Sequence, residues 1–386
     1  MKRLKVMSVF GTRPEATKMA PLVKALERQS PAIDSKVLVT AQHREMLDQV
    51  LHDFDIKSDY DLNIMRENQT LAETTERILR GMTPILEAER PDIVLVHGDT
   101  ATTASAALAA YYLKIPCGHV EAGLRTGDKY APFPEEIMRR IADTISDIHF
   151  APTELSKANL LKEGISEESI YVTGNTAVDA LLLTVKDGYV FKDERLNRID
   201  FSSRRNILVE VHRRENFGQG MEDVAGALAH IANSREDIQM LVSVHKNPRA
   251  GEPIRRHLSG APRTVLFDPV DYPDYVNLMK RCYLVVTDSG GVQEEAPSLG
   301  APVVLCREKT ERPEALASGT VALVGTDRGL LVRTVLDLLD NPERYSSMSQ
   351  VSNPFGDGRA SDRIVQALSY HFKIADTRPK DFRALV

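Results

Sequence analysis

Residues 284–300 read LVVTDSGGVQEEAPSLG. The apolar run Leu284–Val286 has the look of a buried strand, and Asp288-Ser289-Gly290-Gly291 that of a loop whose bare backbone N–H groups can hold an anion at the start of a helix. Two carboxylates, Glu294 and Glu295, follow at once, an odd choice beside a bound anion. Strand, glycine loop and helix in that order make one unit of a parallel α/β fold.

Outward from this stretch the same unit recurs in both directions. Short β-branched runs alternate with longer amphipathic segments, the pattern of parallel strands joined by crossover helices. In the first half the expected strands are 4–10, 36–40, 93–97, 117–120, 148–151 and 170–173; in the second they are 207–211, 240–244, 264–267, 284–287, 303–306 and 322–324. A chain of 386 residues exceeds the size at which one hydrophobic core stops growing, so two domains are expected. We place an N-terminal Rossmann-like domain at 1–185, with C-terminal helices at about 360–375 packing back on it, and a second Rossmann-like domain at 186–359. The polar, weakly periodic stretch 187–205 reads as the surface link between them. The predicted class is α/β, with parallel sheets covered by helices on both faces. Open parallel sheets bind ligands at the carboxyl ends of their strands, so two such domains are expected to face each other across a cleft.

The loops at those carboxyl ends carry the chemistry. GTRPEATK offers Gly11, Arg13 and Lys18, donors and charge for an anion, although a solvated capping turn with Pro14 early in the helix explains it equally well. HGDT and HVEAG place His97 with Asp99 and His119 with Glu121 at i, i+2, on one face of each strand. A metal site, acid/base catalysis and a core closed by satisfied hydrogen bonds all suit these pairs; the metal reading is the weakest, since no further ligands follow at tight spacing. Glu135 and Glu136 in PFPEEI add carboxylates, or simply an acidic first helical turn. Acids gathered at one cleft are expected to raise one another's pKa. HRREN, at 212–216, ends a strand in charged groups, which serve either a ligand or a surface ion-pair cluster. His245 follows another strand, and Tyr275 suits either core packing or stacking on a flat heterocycle.

Composition narrows the classes. A net charge of −6 gives no general attraction to nucleic acid or an anionic membrane. Three widely spaced cysteines form neither a disulfide framework nor a metal knuckle. The N-terminal apolar run is too short for a signal-peptide core, and no stretch reaches the ~20 apolar residues of a membrane span. A soluble, cytoplasmic protein is expected.

Seven motifs in register, GTRPEA-K-AP (11–21), HGDT (97–100), GHVEAGLRTG (118–127), HRREN (212–216), DSGGVQEEAPSLG (288–300), TERPE (310–314) and NPFGDGRASDRI (353–364), resemble the non-hydrolysing bacterial UDP-N-acetylglucosamine 2-epimerases over nearly the whole chain. The resemblance implies a GT-B-like fold and reversible inversion at carbon 2 of UDP-N-acetylglucosamine. In the family, UDP is eliminated to leave a 2-acetamidoglucal and then added back. The resemblance assigns Asp99, Glu121 and Glu135 to acid/base work and His212 to an essential imidazole beside the diphosphate. Arg13, Lys18, Arg213, Ser289, Gly290, Gly291 and Arg312 would contact substrate, Tyr275 would stack on uracil, and Glu295 would accept from the ribose hydroxyls while Glu294 faces away. Gln42, Glu45 and His245, with Arg213, match an activating second substrate position found in some members, where Glu45 replaces a usual Gln. Glu210 stands where small or hydroxyl residues are usual and Ser243 where Pro is; on one strand face with His212, Glu210 is expected to orient it or a neighbouring Arg. The implied partners are UDP-N-acetylglucosamine, UDP and a second copy of the chain, with no cofactor, metal, nucleic acid or membrane, and the implied role is supply of cell-surface polysaccharide synthesis. A GT-B glycosyltransferase, a hydrolysing epimerase and a silent nucleotide-sugar sensor are the competing readings.

Overall fold

In the computed structural model, which describes residues 3–42 and 44–384, the chain forms two compact units, one of Met1–Ala180 with Phe355–Arg383 and one built on Leu181–Pro354. The first holds a seven-stranded sheet: β1 (Leu4–Phe10), β2 (Ile33–Val39), β3 (Tyr60–Asp61), β4 (Ile93–His97), β5 (Cys117–Val120), β6 (Ile148–Ala151) and β7 (Ile170–Val172). The second holds six: β8 (Arg205–Glu210), β9 (Ile238–Ser243), β10 (Thr264–Phe267), β11 (Leu284–Thr287), β12 (Val303–Leu305) and β13 (Val321–Leu323). Every pairing in both is parallel. All twelve expected strands form, several with ends shifted by one to three residues. The thirteenth, β3, went unforeseen because two residues have no period to read.

Both sheets are buried on their two faces, which is why strands such as β12 are apolar throughout rather than alternating. The strand orders are β3-β2-β1-β4-β5-β6-β7 and β10-β9-β8-β11-β12-β13. Each order reverses once, between β1 and β4 and between β8 and β11. There the loops leaving neighbouring strands diverge and open a crevice at the carboxyl edge.

The helix Ala360–His371 belongs to the first unit. Its Ile364, Val365 and Leu368 share one apolar cluster with Ala16, Met19 and Val23 of the helix Arg13–Glu27. The buried Asp179 carboxylate accepts from the first N–H groups of that helix, Ala360 at 3.1 Å and Ser361 at 2.7 Å. The stretch 187–205, expected to be a surface link, is instead folded onto the second unit. Buried Asp274 accepts from Tyr189 Oη at 2.9 Å, Lys192 N at 3.0 Å and Asp193 N at 3.1 Å. Phe191 stacks on Phe201, and the Arg281 guanidinium lies over both rings. Hydrogen bonding to one buried carboxylate replaces the hydrophobic period that the sequence lacks. Among the described residues no helix is long and apolar enough to cross a membrane.

Candidate active site

In the first unit the polar groups gather where β1 and β4 part. Gly11 N and Thr12 N donate to Glu15 Oε2 at 3.0 and 2.8 Å, and Thr100 Oγ1, from the loop after β4, donates to Glu15 Oε1 at 2.6 Å. This carboxylate, missed in the sequence although Thr12-x-x-Glu15 is a capping-box pattern, ties the two loops together. Burial pushes the Glu15 carboxyl above its ordinary range, and the donors from Thr100, Gly11 and Thr12 offset only part of that rise. Gly11 is obligatory here: an added Cβ would lie 1.9 Å from Thr40 Oγ1 and 2.6 Å from Thr102 Oγ1.

Glu121 follows β5 in a left-handed backbone conformation, φ 68°, uncommon for a residue with a side chain. Its Oε2 pairs with Lys18 Nζ and accepts from Asn175 Nδ2 at 2.8 Å, with His97 Nε2 3.9 Å away. The ends of β4, β5 and β7 and the second turn of the helix Arg13–Glu27 thus meet at one carboxylate. His97 is 3% exposed, and neither ring nitrogen has a hydrogen-bond partner among the described residues. Burial drives its pKa down to about 3, the Glu121 carboxylate opposing and the Lys18 ammonium assisting, so the ring is neutral at neutral pH.

The two i, i+2 pairs do not act as pairs. β4 ends at His97, Gly98 turns left-handed at φ 67°, and Glu121 does the same beyond β5, so the alternation of a strand stops before the second member. His119 turns into the core, Nδ1 meeting Asp143 Oδ1 at 2.6 Å and Nε2 the Gly98 carbonyl at 2.7 Å. Asp143 also takes Gly123 N at 3.2 Å and the Arg125 guanidinium at 2.7 Å. Burial alone would raise its carboxyl; His119 and Arg125 hold it below its ordinary range. For His119 the core-closing alternative is therefore the one seen.

The expectation that the carboxylates would confront one another also changes. Asp99 pairs with the Arg139 guanidinium, as does Glu136 at 3.5 Å, and Glu121 pairs with Lys18, so cations separate the acids. Glu136 accepts from Thr126 N and Gly127 N at 3.1 and 3.3 Å, which makes it a loop anchor. Glu135, at the start of the helix Glu135–Ile145, keeps a buried Oε2 with no partner among the described residues. Arg13 is exposed at the first turn of its helix. Gln42 Oε1 lies 3.4 Å from Thr102 Oγ1, and Glu45 is exposed.

In the second unit β8 and β11 run in register, Glu210 beside Thr287, so that the residues just beyond them meet. Buried Asp288 accepts from His212 N through both oxygens, at 3.0 and 2.9 Å, from Arg213 N at 2.8 Å and from Asn216 Nδ2 at 3.0 Å. The His212 ring stacks on His245, centroids 5.2 Å apart and planes 15° from parallel. Burial and then the neighbouring His212 lower the His245 pKa. Ser289 N donates to Thr287 Oγ1 at 3.0 Å, and Gly290 and Gly291 open the short helix Gly290–Glu295. Beside Gly290 sit two guanidinium groups: an added Cβ there would lie 3.6 Å from Arg312 and 3.7 Å from Arg213. Arg213 Nε is buried with no partner among the described residues, and Arg312 Nε reaches Glu294 Oε1 at 2.8 Å. Glu294 is 1% exposed and lies inside the unit, in ion contact with Arg312.

Glu210 does not orient His212 or an arginine. It accepts from Tyr275 Oη at 2.8 Å, and Asp288 holds the His212 backbone instead. Burial, with Glu210 next, pushes the Tyr275 phenol well above its ordinary pKa, so it stays a donor. Tyr272, one turn earlier and not singled out in the sequence, donates to Glu295 Oε1 at 2.9 Å. Asp143, Asn175 and Tyr272 carried no local signal, and Asp288 was read only as part of the glycine loop: each acts on a residue far away in the chain.

Comparison with known proteins bears on both units. Residues 24–369 match the family model described as UDP-N-acetylglucosamine 2-epimerase. The chain is 51% identical over 382 residues to the UDP-N-acetylglucosamine 2-epimerase of Bacillus subtilis, covering 99% of each, and 52% identical over 371 residues to that of Escherichia coli K12, covering 95% of this chain and 98% of the relative. A crystal structure of UDP-GlcNAc 2-epimerase from Neisseria meningitidis bound to UDP-GlcNAc superposes with TM-score 0.85 at 46% identity, over 95% of this chain and 99% of that one. A glycosyltransferase from Streptomyces nogalater, 15% identical with TM-score 0.56, shares the GT-B-like fold alone.

Proposed function

Because the chain belongs to the UDP-N-acetylglucosamine 2-epimerase family, we propose that it interconverts UDP-N-acetylglucosamine and UDP-N-acetylmannosamine without net hydrolysis. The observation that carries this reading is the convergence of Lys18, Asn175 and His97 on Glu121, an acid/base group with its partners in place.

Inversion at carbon 2 needs a proton taken from one face and returned to the other, a task suited to two acid/base groups on opposite faces. Asp99, Glu121 and Glu135 supply them. A carboxylate removes the carbon 2 proton, the C–H pair becomes the carbon 1–carbon 2 double bond, and the carbon 1–oxygen bond breaks with its electrons passing to the UDP diphosphate. The 2-acetamidoglucal then rotates or shifts, takes a proton on its other face and recaptures UDP. The Lys18 ammonium and the Asn175 amide hold the Glu121 carboxylate in a single pose, which a proton transfer over about 3 Å demands.

Negative charge grows on the leaving diphosphate. Arg213 and Arg312 flank Gly290, whose missing side chain lets a phosphate approach the backbone, and the Gly290 and Gly291 N–H groups, with the Ser289 hydroxyl, add neutral donors. His212, held by Asp288, stands at the same edge as the leaving group's acid or hydrogen-bond donor. Glu295 accepts from the ribose hydroxyls, Tyr275 stacks on uracil, and Arg13 is a further substrate contact. On this reading the oddity of DSGGVQEE disappears: glycines meet the diphosphate, Glu295 meets a neutral diol, and Glu294 neutralises Arg312.

A cytoplasmic homodimer supplying cell-surface polysaccharide synthesis, with Gln42, Glu45 and His245 at an activating second substrate position, belongs to the same proposal. The test is incubation with UDP-N-acetylglucosamine in deuterated water, followed by NMR. UDP-N-acetylmannosamine carrying deuterium at carbon 2 is expected; release of free amino sugar, or no exchange at all, would overturn the reading.

A further inference from the structure

The helix Tyr272–Lys280 carries two phenols at i and i+3, on one face, and each ends on a glutamate of a different element. Tyr275 donates to Glu210 Oε2 at 2.8 Å, at the end of β8, and Tyr272 donates to Glu295 Oε1 at 2.9 Å, at the last residue of the helix Gly290–Glu295. The N-terminus of the tyrosine-bearing helix is itself pinned. Asp271 caps it through Asp274 N at 3.0 Å, and buried Asp274 takes Tyr189 Oη, Lys192 N and Asp193 N. Tyr272 therefore projects from a fixed point.

We infer that Tyr272 is a positioning residue that aims the Glu295 carboxylate at the two ribose hydroxyls of a bound nucleotide, and so sets the preference for ribose over deoxyribose. This rests on the reading above in which Glu295 is the ribose acceptor. A half-buried glutamate has three side-chain torsions, and a carboxylate that must meet a vicinal diol loses affinity for every alternative rotamer it populates. A phenol donor on Oε1 selects one rotamer before the ligand arrives. The oxygen it occupies keeps a second lone pair, so the phenol and a hydroxyl can share it. Burial and the adjacent Glu295 carboxylate push the Tyr272 phenol well above its ordinary pKa, so it remains a donor throughout the working range. The segment 187–193, through Asp274, contributes to ribose recognition without touching the ligand.

The test compares affinities for UDP and 2′-deoxy-UDP in the wild type, Tyr272→Phe and Glu295→Gln, by calorimetry. The wild type should prefer UDP, and both variants should lose about tenfold or more of that preference, the scale of one hydrogen bond to a charged group. A helix merely loosened by Tyr272→Phe would weaken both nucleotides alike and leave their ratio intact. A retained ratio in Tyr272→Phe with a collapsed ratio in Glu295→Gln overturns the inference while the role of Glu295 stands. A retained ratio in Glu295→Gln removes the ribose role of Glu295, and the inference falls with it.

Discussion

Asp288, from the loop after β11, binds the backbone N–H of His212, from the loop after β8, with both carboxylate oxygens at 3.0 and 2.9 Å. It lies fully buried and takes Arg213 N and Asn216 Nδ2 as well, so one side chain closes the switch point of the second sheet. Asp288→Asn keeps the shape but turns an NH2 group toward these donors. We expect a loss of roughly 1–3 kcal/mol in urea unfolding, and a fall in turnover larger than that in Asn216→Ala, since His212 and Arg213 move together. Unchanged turnover in Asp288→Asn would show that the placement of His212 does not matter.

Glu121→Gln, Asp99→Asn and His212→Ala should each lower turnover by about 10²-fold or more, the usual contribution of a general acid or base, while changing UDP affinity little. Lys18→Met should do likewise, because it frees Glu121 from its cation. Steady-state kinetics paired with UDP titration decides; wild-type turnover in all of these variants would refute the site.

His97 sets a pH dependence of stability. Its pKa is about 3 in the fold against the ordinary 6.5 of an exposed imidazole, so between those values the unfolded chain binds the extra proton. Stability contributed by the neutral ring is complete above pH 6.5 and is lost as the pH falls toward 3, with a slope approaching 1.4 kcal/mol per unit, roughly. Unfolding free energies from urea titrations at pH 7 and pH 5 should differ more in the wild type than in His97→Gln, by about 2 kcal/mol. Equal pH sensitivity would mean that the ring is not held neutral.

Glu210→Gln should weaken UDP binding more than it lowers turnover, because its partner is Tyr275 and not His212. A fall in turnover with unchanged UDP affinity would return Glu210 to the imidazole.

Gly11→Ala should cost about 2 kcal/mol or more, since its Cβ would collide with Thr40 Oγ1 and Thr102 Oγ1, which bond each other at 2.9 Å. Thermal unfolding measures it; an unshifted midpoint would mean that the threonines yield.

The class of fold, twelve of the strands and the loops that carry chemistry can be read from residue order alone, because a strand buried on both faces must be apolar along its length and ends where glycines and charges begin. Glu121, His212 and the glycines of 290–291 were legible for that reason: each lies within a few residues of a strand end. Which side chain meets which was decided only by the tertiary structure. Glu15 joins two loops 85 positions apart, Asp288 holds His212 across 76, and Tyr272 reaches Glu295 across 23. Hydrogen bonds of this kind depend on strand order and register, and a buried carboxylate in a loop looks the same in sequence as one in water. The pairs His97 with Asp99 and His119 with Glu121 show the limit most plainly: left-handed turns at Gly98 and Glu121 break the alternation on which the sequence argument relied.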